Sequence, residues 1–313
     1  MVDVVQIGTG GWGKNHCRVL SELGVLTAIC DLNTEVCDQL ASKYNVDAIY
    51  SVDELLAEYS FDAAVIATPT TTHFSIASRL IEAGKHVFVE KPMTYKSSEG
   101  EELVKLAKAH NVKLTSGYIE RFNPAVAEVK KYAREQTYGD LLMLEFHRES
   151  RMPLHIKDVG IIYDTSVHDI DTALWLFQDT PKTVYARSGR IRHHHEDFSA
   201  IMLGFSNNRV ANIVSNWITP VRIRTFNAIF TEGRIGGDFI TRRLEIDTPE
   251  GRSIPQPKEG EPLLLELTNF VEAIEGKTEL RVQPEHALNV TRIAEAAIES
   301  TQTGRHVELD FDF

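Results

Sequence analysis

Val4-Val5-Gln6-Ile7-Gly8-Thr9-Gly10-Gly11-Trp12-Gly13-Lys14-Asn15-His16 is the stretch whose reading decides the fold. An apolar strand pattern runs directly into G-x-G-x-x-G and then into a helical pattern. Gly8 permits the tight turn out of the strand. Gly10, lacking a side chain, lets a pyrophosphate approach the backbone. Gly13 lets the helix pack closely on the strand. The helix start, after Gly11 and Trp12, offers unpaired N–H groups and the positive end of its dipole to phosphates.

A surface turn before an ordinary helix would share these glycines, so the context has to decide. A second apolar run, Val25 to Cys30, ends in Asp31. That spacing, about 20 residues beyond the motif, is where a carboxylate accepts hydrogen bonds from an adenosine ribose. A carboxylate there repels a 2′-phosphate, and Leu32 and Asn33 bring no positive charge. The expected cofactor is NAD rather than NADP.

With 313 residues the chain is long enough for two domains with separate cores. Its 42% hydrophobic and 25% charged content is ordinary for a globular protein. No apolar run approaches the roughly 20 residues of a membrane span. The sequence enters a strand at once, which reads as a chain without a signal peptide. Cys17, Cys30 and Cys37 fit no zinc spacing and read as reduced thiols, hence a cytoplasmic setting. A net charge of −12 argues against nucleic acid and anionic membranes as partners.

Residues 1–118 alternate strand and helix and predict a doubly wound parallel sheet, a Rossmann domain. Thr34 is expected to cap a helix ending at Tyr44, and Ser51-Val52-Asp53-Glu54 is a capping box. Residues 119–313 predict an α+β domain. A helix begins at Pro124, a strand runs from Leu141 to Arg148, and a helix spans about Asp164 to Gln178. Long alternating segments follow, among them Arg234 to Asp247, joined by short loops as in antiparallel hairpins. Two amphipathic helices close the chain. The local helices can cover one face of so large an open sheet. The other face is expected to bury itself in a homodimer or homotetramer.

In a doubly wound sheet, ligands bind beyond the carboxyl ends of the strands. Thr68-Pro69-Thr70 with His73, and Glu90-Lys91-Pro92, end there. A lysine at Lys91 can hold a substrate hydroxyl and ease loss of its proton; the competing reading is a solvated lysine at a strand end. Asp164, His168, Asp171 and Trp175 share one helical face, apart from the apolar stripe of Val167, Ile170, Leu174 and Phe177. A histidine there can take a proton near neutral pH. Its alternatives are a hydrogen-bonded core histidine and, less favoured, a metal ligand. His193-His194-His195-Glu196-Asp197 reads as a solvated hairpin loop, because three adjacent extended residues cannot all face one ion. Arg148, Arg151, Lys157, Arg222 and Arg224 are candidates for an anionic substrate group.

Taken together, the glycine loop, Glu90-Lys91-Pro92 and Asp164-x-x-x-His168 resemble the Gfo/Idh/MocA family of oxidoreductases. The resemblance implies a Rossmann domain followed by an α/β domain whose open sheet serves in oligomers. It implies NAD(P)-dependent oxidation or reduction of a secondary alcohol on a sugar or cyclitol. By motif, Lys91, Asp164 and His168 match the catalytic lysine, aspartate and acid/base histidine. Gly8, Gly10, Gly11, Trp12, Gly13, Asp31, Thr68, Pro69, Thr70, His73, Glu90 and Lys91 are expected at the cofactor. Gly117-Tyr118-Ile119-Glu120-Arg121-Phe122-Asn123-Pro124 and Val167-His168-Asp169-Ile170-Asp171 are similar to the branch acting on nucleotide sugars, more narrowly on C3 of UDP-N-acetylglucosamine for lipid A variants. That places Tyr118, Glu120, Arg121, Asn123, Arg148, Arg151, Asp164 and His168 at the substrate, and no metal. The alternatives are a free-sugar or inositol dehydrogenase, a glycosidase that transiently oxidises C3, and a non-catalytic NAD-binding regulator.

Overall fold

Strand β1 (Val4–Ile7) is buried along its whole length, and so is β4 (Ala63–Ile66). Such runs suit a parallel sheet with helices on both faces. In this computed structural model, which describes residues 2–153, 156, 158–311 and 313, they lie side by side at its centre. The remaining strands are β2 (Leu26–Cys30), β3 (Asp47–Ile49), β5 (His86–Val89) and β6 (Leu114–Ser116). The order is β3-β2-β1-β4-β5-β6, all parallel, and the order in which strands are added switches to the other side of β1 at β4. The helices between them are α1 (Gly13–Glu22), α2 (Thr34–Tyr44), α3 (Val52–Glu58), α4 (Thr70–Glu82) and α5 (Ser97–Ala109). Ser51 caps α3 by accepting from the Glu54 N–H, as its capping box requires. The cap of α2 is Asn33, accepting from Val36 at 3.2 Å, and not Thr34, which is already helical.

Among the described residues the second sheet has nine strands. With α6 (Pro124–Glu135), β7 (Leu141–Glu149), α7 (Val167–Phe177), β8 (Thr183–Gly189), β9 (Phe198–Gly204), β10 (Val210–Asn216), β11 (Ile223–Phe230), β12 (Gly233–Asp238), β13 (Leu244–Thr248), β14 (Gly251–Ser253), α8 (Pro262–Ile274), α9 (Pro284–Thr303) and β15 (Val307–Glu308), the strand order is β14-β13-β12-β11-β7-β10-β9-β8-β15. All pairs are antiparallel except the central β7–β10 pair. Burial alternates strictly along β9, as it must when one face meets the core and the other does not. The stretch Arg234 to Asp247, expected as one strand, is two. Asp238 accepts from the N–H groups of Ile240 and Thr241, and Arg242 takes a φ of 61°, which turns the chain back on itself.

By contacts the chain forms two compact units. The first comprises residues 1–118 together with Leu263–Leu288, and the second comprises 119–262 and 289–313. The sequence reading placed residues 263–288 with the rest of 119–313; by contacts they group with the first unit. The apolar stripe of α8 packs within the first unit: Phe270 meets Phe88 of β5 edge-on at 5.7 Å. The Thr115 hydroxyl of β6 donates to the Val282 carbonyl at 2.8 Å. Periodicity announces that a helix has an apolar face but not which sheet will cover it. No helix among the described residues is long and apolar enough to cross a membrane.

Candidate active site

In the first unit the three motif glycines do three different things. Gly8 has a φ of 86°, and a Cβ there would lie 2.7 Å from the Ala67 carbonyl oxygen. A Cβ on Gly13 would lie 2.1 Å from the Gly8 oxygen, so α1 sits where only glycine fits. A Cβ on Gly10 would meet nothing within 4 Å, the open approach that a phosphate needs. No side chain of the described residues caps α1, and the first amides of the helix turn back to backbone carbonyls, Lys14 N–H to Gly10 and Asn15 N–H to Trp12. Gly11 is exposed, and Trp12 nearly half so.

Asp31, at the end of β2, accepts from the Thr9 N–H and hydroxyl at 2.6 Å each and from the Asn33 N–H at 2.8 Å. A carboxylate has about four lone-pair sites, so this one braces the glycine loop and keeps acceptor capacity for a ribose hydroxyl. Leu32 beside it is 85% exposed and uncharged. The loop, its open face and this acid fit an NAD adenosine diphosphate half.

Thr68 and Pro69 lead into Thr70, the first residue of α4. His73 is buried, with Nδ1 2.9 Å from the Pro92 carbonyl and Nε2 3.0 Å from the Thr68 carbonyl. A neutral ring has one N–H and can donate to one of these carbonyls; a protonated ring donates to both. Either way the ring ties the loop after β4 to the loop after β5. Glu90 is similarly engaged. Its Oε1 is 2.8 Å from His16 Nε2, and its Oε2 accepts from the Lys91 N–H at 3.0 Å. It fills the space left by Gly117, where a Cβ would lie 2.9 Å from Oε1. Lys91 is half-buried and Tyr118 buried. Sequence reading missed His16. Its signal was a polar residue on the inward face of α1.

In the second unit, Asp164 lies in a π-helical turn, Ile162–Ser166, ahead of α7. Such turns insert an extra residue and are frequent at functional sites. Asp164 Oδ2 accepts from the Thr165 hydroxyl at 3.1 Å, and both Asp164 and His168 are half-buried. Glu196 holds the start of this turn: its carboxylate accepts from the Ile162 N–H and its carbonyl from the Ile161 N–H. Gly160 makes room for it. The histidine tract thus positions the turn bearing Asp164, a role the sequence did not announce. Next to it, Asp197 is buried; burial pushes its carboxyl up, but the N–H groups of Arg192, Ile191 and His193 outweigh this and hold it below its ordinary value. The His193 ring packs edge-on against Trp217 at 5.3 Å. Among the described residues no group of three or more His, Cys, Asp and Glu side chains is arranged to hold a metal ion.

Asp171, expected beside Asp164 and His168 on one polar face, is instead core. It forms a bidentate pair with Arg121, with Nε–Oδ2 2.9 Å and Nη2–Oδ1 2.7 Å, and both side chains are buried. Arg148 donates to Asp169 at 2.7 Å and to Glu120 at 2.9 Å. Asn123 donates to the same Glu120 and to the Phe239 carbonyl, and the Phe239 ring lies 4.3 Å from the Arg148 guanidinium. Burial opposes the charge on Arg148, but Asp169 and Glu120 outweigh it and raise its pKa. Glu120, Arg121, Asn123 and Arg148, expected at the substrate, are thus knitted into a buried ionic network. Arg151 is exposed, and Lys157 lies outside the described residues.

Three family descriptions match in tandem. They are an oxidoreductase family NAD-binding Rossmann fold over residues 2–118, a GFO/IDH/MocA C-terminal domain over 126–236 and an oxidoreductase family C-terminal alpha/beta domain over 250–309. The chain belongs to the Gfo/Idh/MocA oxidoreductase family. Its cofactor is NAD, bound by the Rossmann domain. A UDP-N-acetylglucosamine 3-dehydrogenase from Acidithiobacillus ferrooxidans is 30% identical over 240 residues, 77% of this chain and 75% of that one. A solved structure of that enzyme superposes with a TM-score of 0.88 at 26% identity, over 96% of this chain and 98% of the other. An inositol 2-dehydrogenase from Rhizobium meliloti is 25% identical over 325 residues, 97% of this chain and 98% of its own.

Proposed function

We propose that this oxidoreductase oxidises a secondary hydroxyl of a nucleotide sugar, and that the substrate is UDP-N-acetylglucosamine, converted at C3 to the 3-keto sugar. The reading is supported most by the likeness to the Acidithiobacillus enzyme together with Lys91, Asp164 and His168 in this sequence. Bound NAD supplies the hydride acceptor. His168 takes the hydroxyl proton as general base. The Lys91 ammonium is a donor that can stabilise negative charge developing on a substrate oxygen. Asp164 orients the sugar or the imidazole. The groups must hold the hydroxyl within about 3–3.5 Å of its reaction partners for these effects to add.

An inositol or free-sugar dehydrogenase is the second reading, favoured by the likeness to the Rhizobium enzyme over nearly its whole length. Absorbance of NADH with UDP-N-acetylglucosamine, N-acetylglucosamine, myo-inositol and free hexoses separates the two. The account expects NADH only, or far the fastest, with the nucleotide sugar, and a 3-keto product. NADH formed with myo-inositol alone would give the protein to the second reading.

A further inference from the structure

Among the described residues, every buried or half-buried arginine but one donates to an acceptor. Arg121 has Asp171, Arg148 has Asp169 and Glu120, Arg209 has Asp179 and Arg234 has Asp247, while Arg18 has Glu22, Arg242 the Gly260 carbonyl and Arg292 Asn289. The exception is Arg224, half-buried, whose guanidinium has no hydrogen-bonded or ion-paired acceptor among the described residues. Its position is informative. On β11 it sits directly opposite Arg148 of β7, and cross-strand partners project from the same face of a sheet. Arg148 reaches Asp169 of α7 from that face, so Arg224 stands on the side of the sheet that α7 covers. The residue before Asp169 on that helix is His168.

The charge on Arg224 is poorly supported where it is. Burial, then the neighbouring guanidinium groups of Arg148 and Arg222, bring its pKa down to about 10. Glu120 and Asp169 act on it from nearby, but their hydrogen bonds go to Arg148. A fixed, half-desolvated fork of N–H donors without an acceptor is matched by an oxyanion, which guanidinium binds in bidentate fashion. Of the five basic residues weighed in the sequence, Arg148 is engaged, Arg151 and Arg222 are exposed, and Lys157 is outside the described residues.

We infer that Arg224 is a substrate-binding residue that receives an oxyanion carried by the sugar substrate. The inference rests on the dehydrogenase reading for the identity of the ligand, but not for the existence of the site. A phosphate of a nucleotide sugar and a carboxylate of a sugar acid share this chemistry, and the probes distinguish them.

The test is calorimetric titration of the NAD-saturated full chain with UDP, UDP-N-acetylglucosamine, N-acetylglucosamine and glucuronate, in the wild type and in Arg224→Gln and Arg224→Lys. Loss of a charge-assisted pair predicts that Arg224→Gln weakens UDP and UDP-N-acetylglucosamine about tenfold or more. Arg224→Lys should retain part of that affinity, with melting temperature as the folding control and N-acetylglucosamine as the neutral control. A loss confined to glucuronate upholds the oxyanion site with a carboxylate as its source. Equal affinities of wild type and Arg224→Gln for both anions, or binding of neither by the wild type, would overturn the inference. Failure of the dehydrogenase reading is seen separately, as UDP binding that responds to Arg224→Gln with no NADH formed from any sugar.

Discussion

Glu90 holds His16 with one carboxylate oxygen and the Lys91 N–H with the other. His16 lies in the helix that starts at the phosphate-binding loop, so the loop and the strand end bearing Lys91 are joined through one buried carboxylate. His16→Ala should leave NAD affinity nearly intact and lower kcat by up to about 100-fold, since a displacement of about 1 Å costs that much. His16→Gln, which keeps a donor, should recover much of the loss. Steady-state kinetics beside an NAD titration checks this, and a weakened NAD affinity with unchanged kcat would contradict it. At this scale the glycines were legible in the sequence because their constraint is local: Gly8 and Gly13 leave no space for a Cβ. The pairing of Arg121 with Asp171, fifty positions away in sequence, was not, because a charge pattern does not carry its partner.

The helix bearing Asp164 and His168 was legible as an element, but its first turn was not. Helical spacing assumes a constant phase, and the π turn at Ile162–Ser166 breaks it. What stabilises that turn lies in the loop before β9, where Glu196 caps it and Asp197 orders the backbone of residues 191–193. The Asp197 carboxyl is held below its ordinary value in the folded chain, against about 3.9 when unfolded. Between those two values the unfolded state binds more protons, so stability falls as pH falls through that interval. The stabilising contribution is full above about pH 5 and disappears in acid. Asp197→Asn should therefore melt below the wild type at pH 7, with the gap closing as pH drops under about 4. Thermal melts from pH 7 to pH 3 measure it; a gap independent of pH would refute the assignment.

For the whole molecule, alternation in the sequence predicted a large open sheet, and nine strands are present among the described residues. It could not predict that residues 263–288 join the first unit, because the stripe of Leu263, Leu267 and Phe270 suits any apolar surface. One face of the second sheet presents Tyr185, Phe198 and Met202, which are 38%, 37% and 48% exposed. Apolar side chains so placed on neighbouring strands suit a second copy of the chain. Light scattering after size exclusion should report a dimer or tetramer, and Met202→Asp should shift it toward monomer. A monomeric wild type would refute this.

The central proposal is that Lys91 and His168 are both required for turnover by the NAD-bound enzyme. A double-mutant cycle measures it: kcat for Lys91→Ala, His168→Ala and the pair, with NAD affinity as control. Groups acting as a unit are far from additive, so the double variant should be about as slow as the slower single variant, with NAD bound normally. Independent, multiplying losses, or single variants that turn over like the wild type, would contradict it.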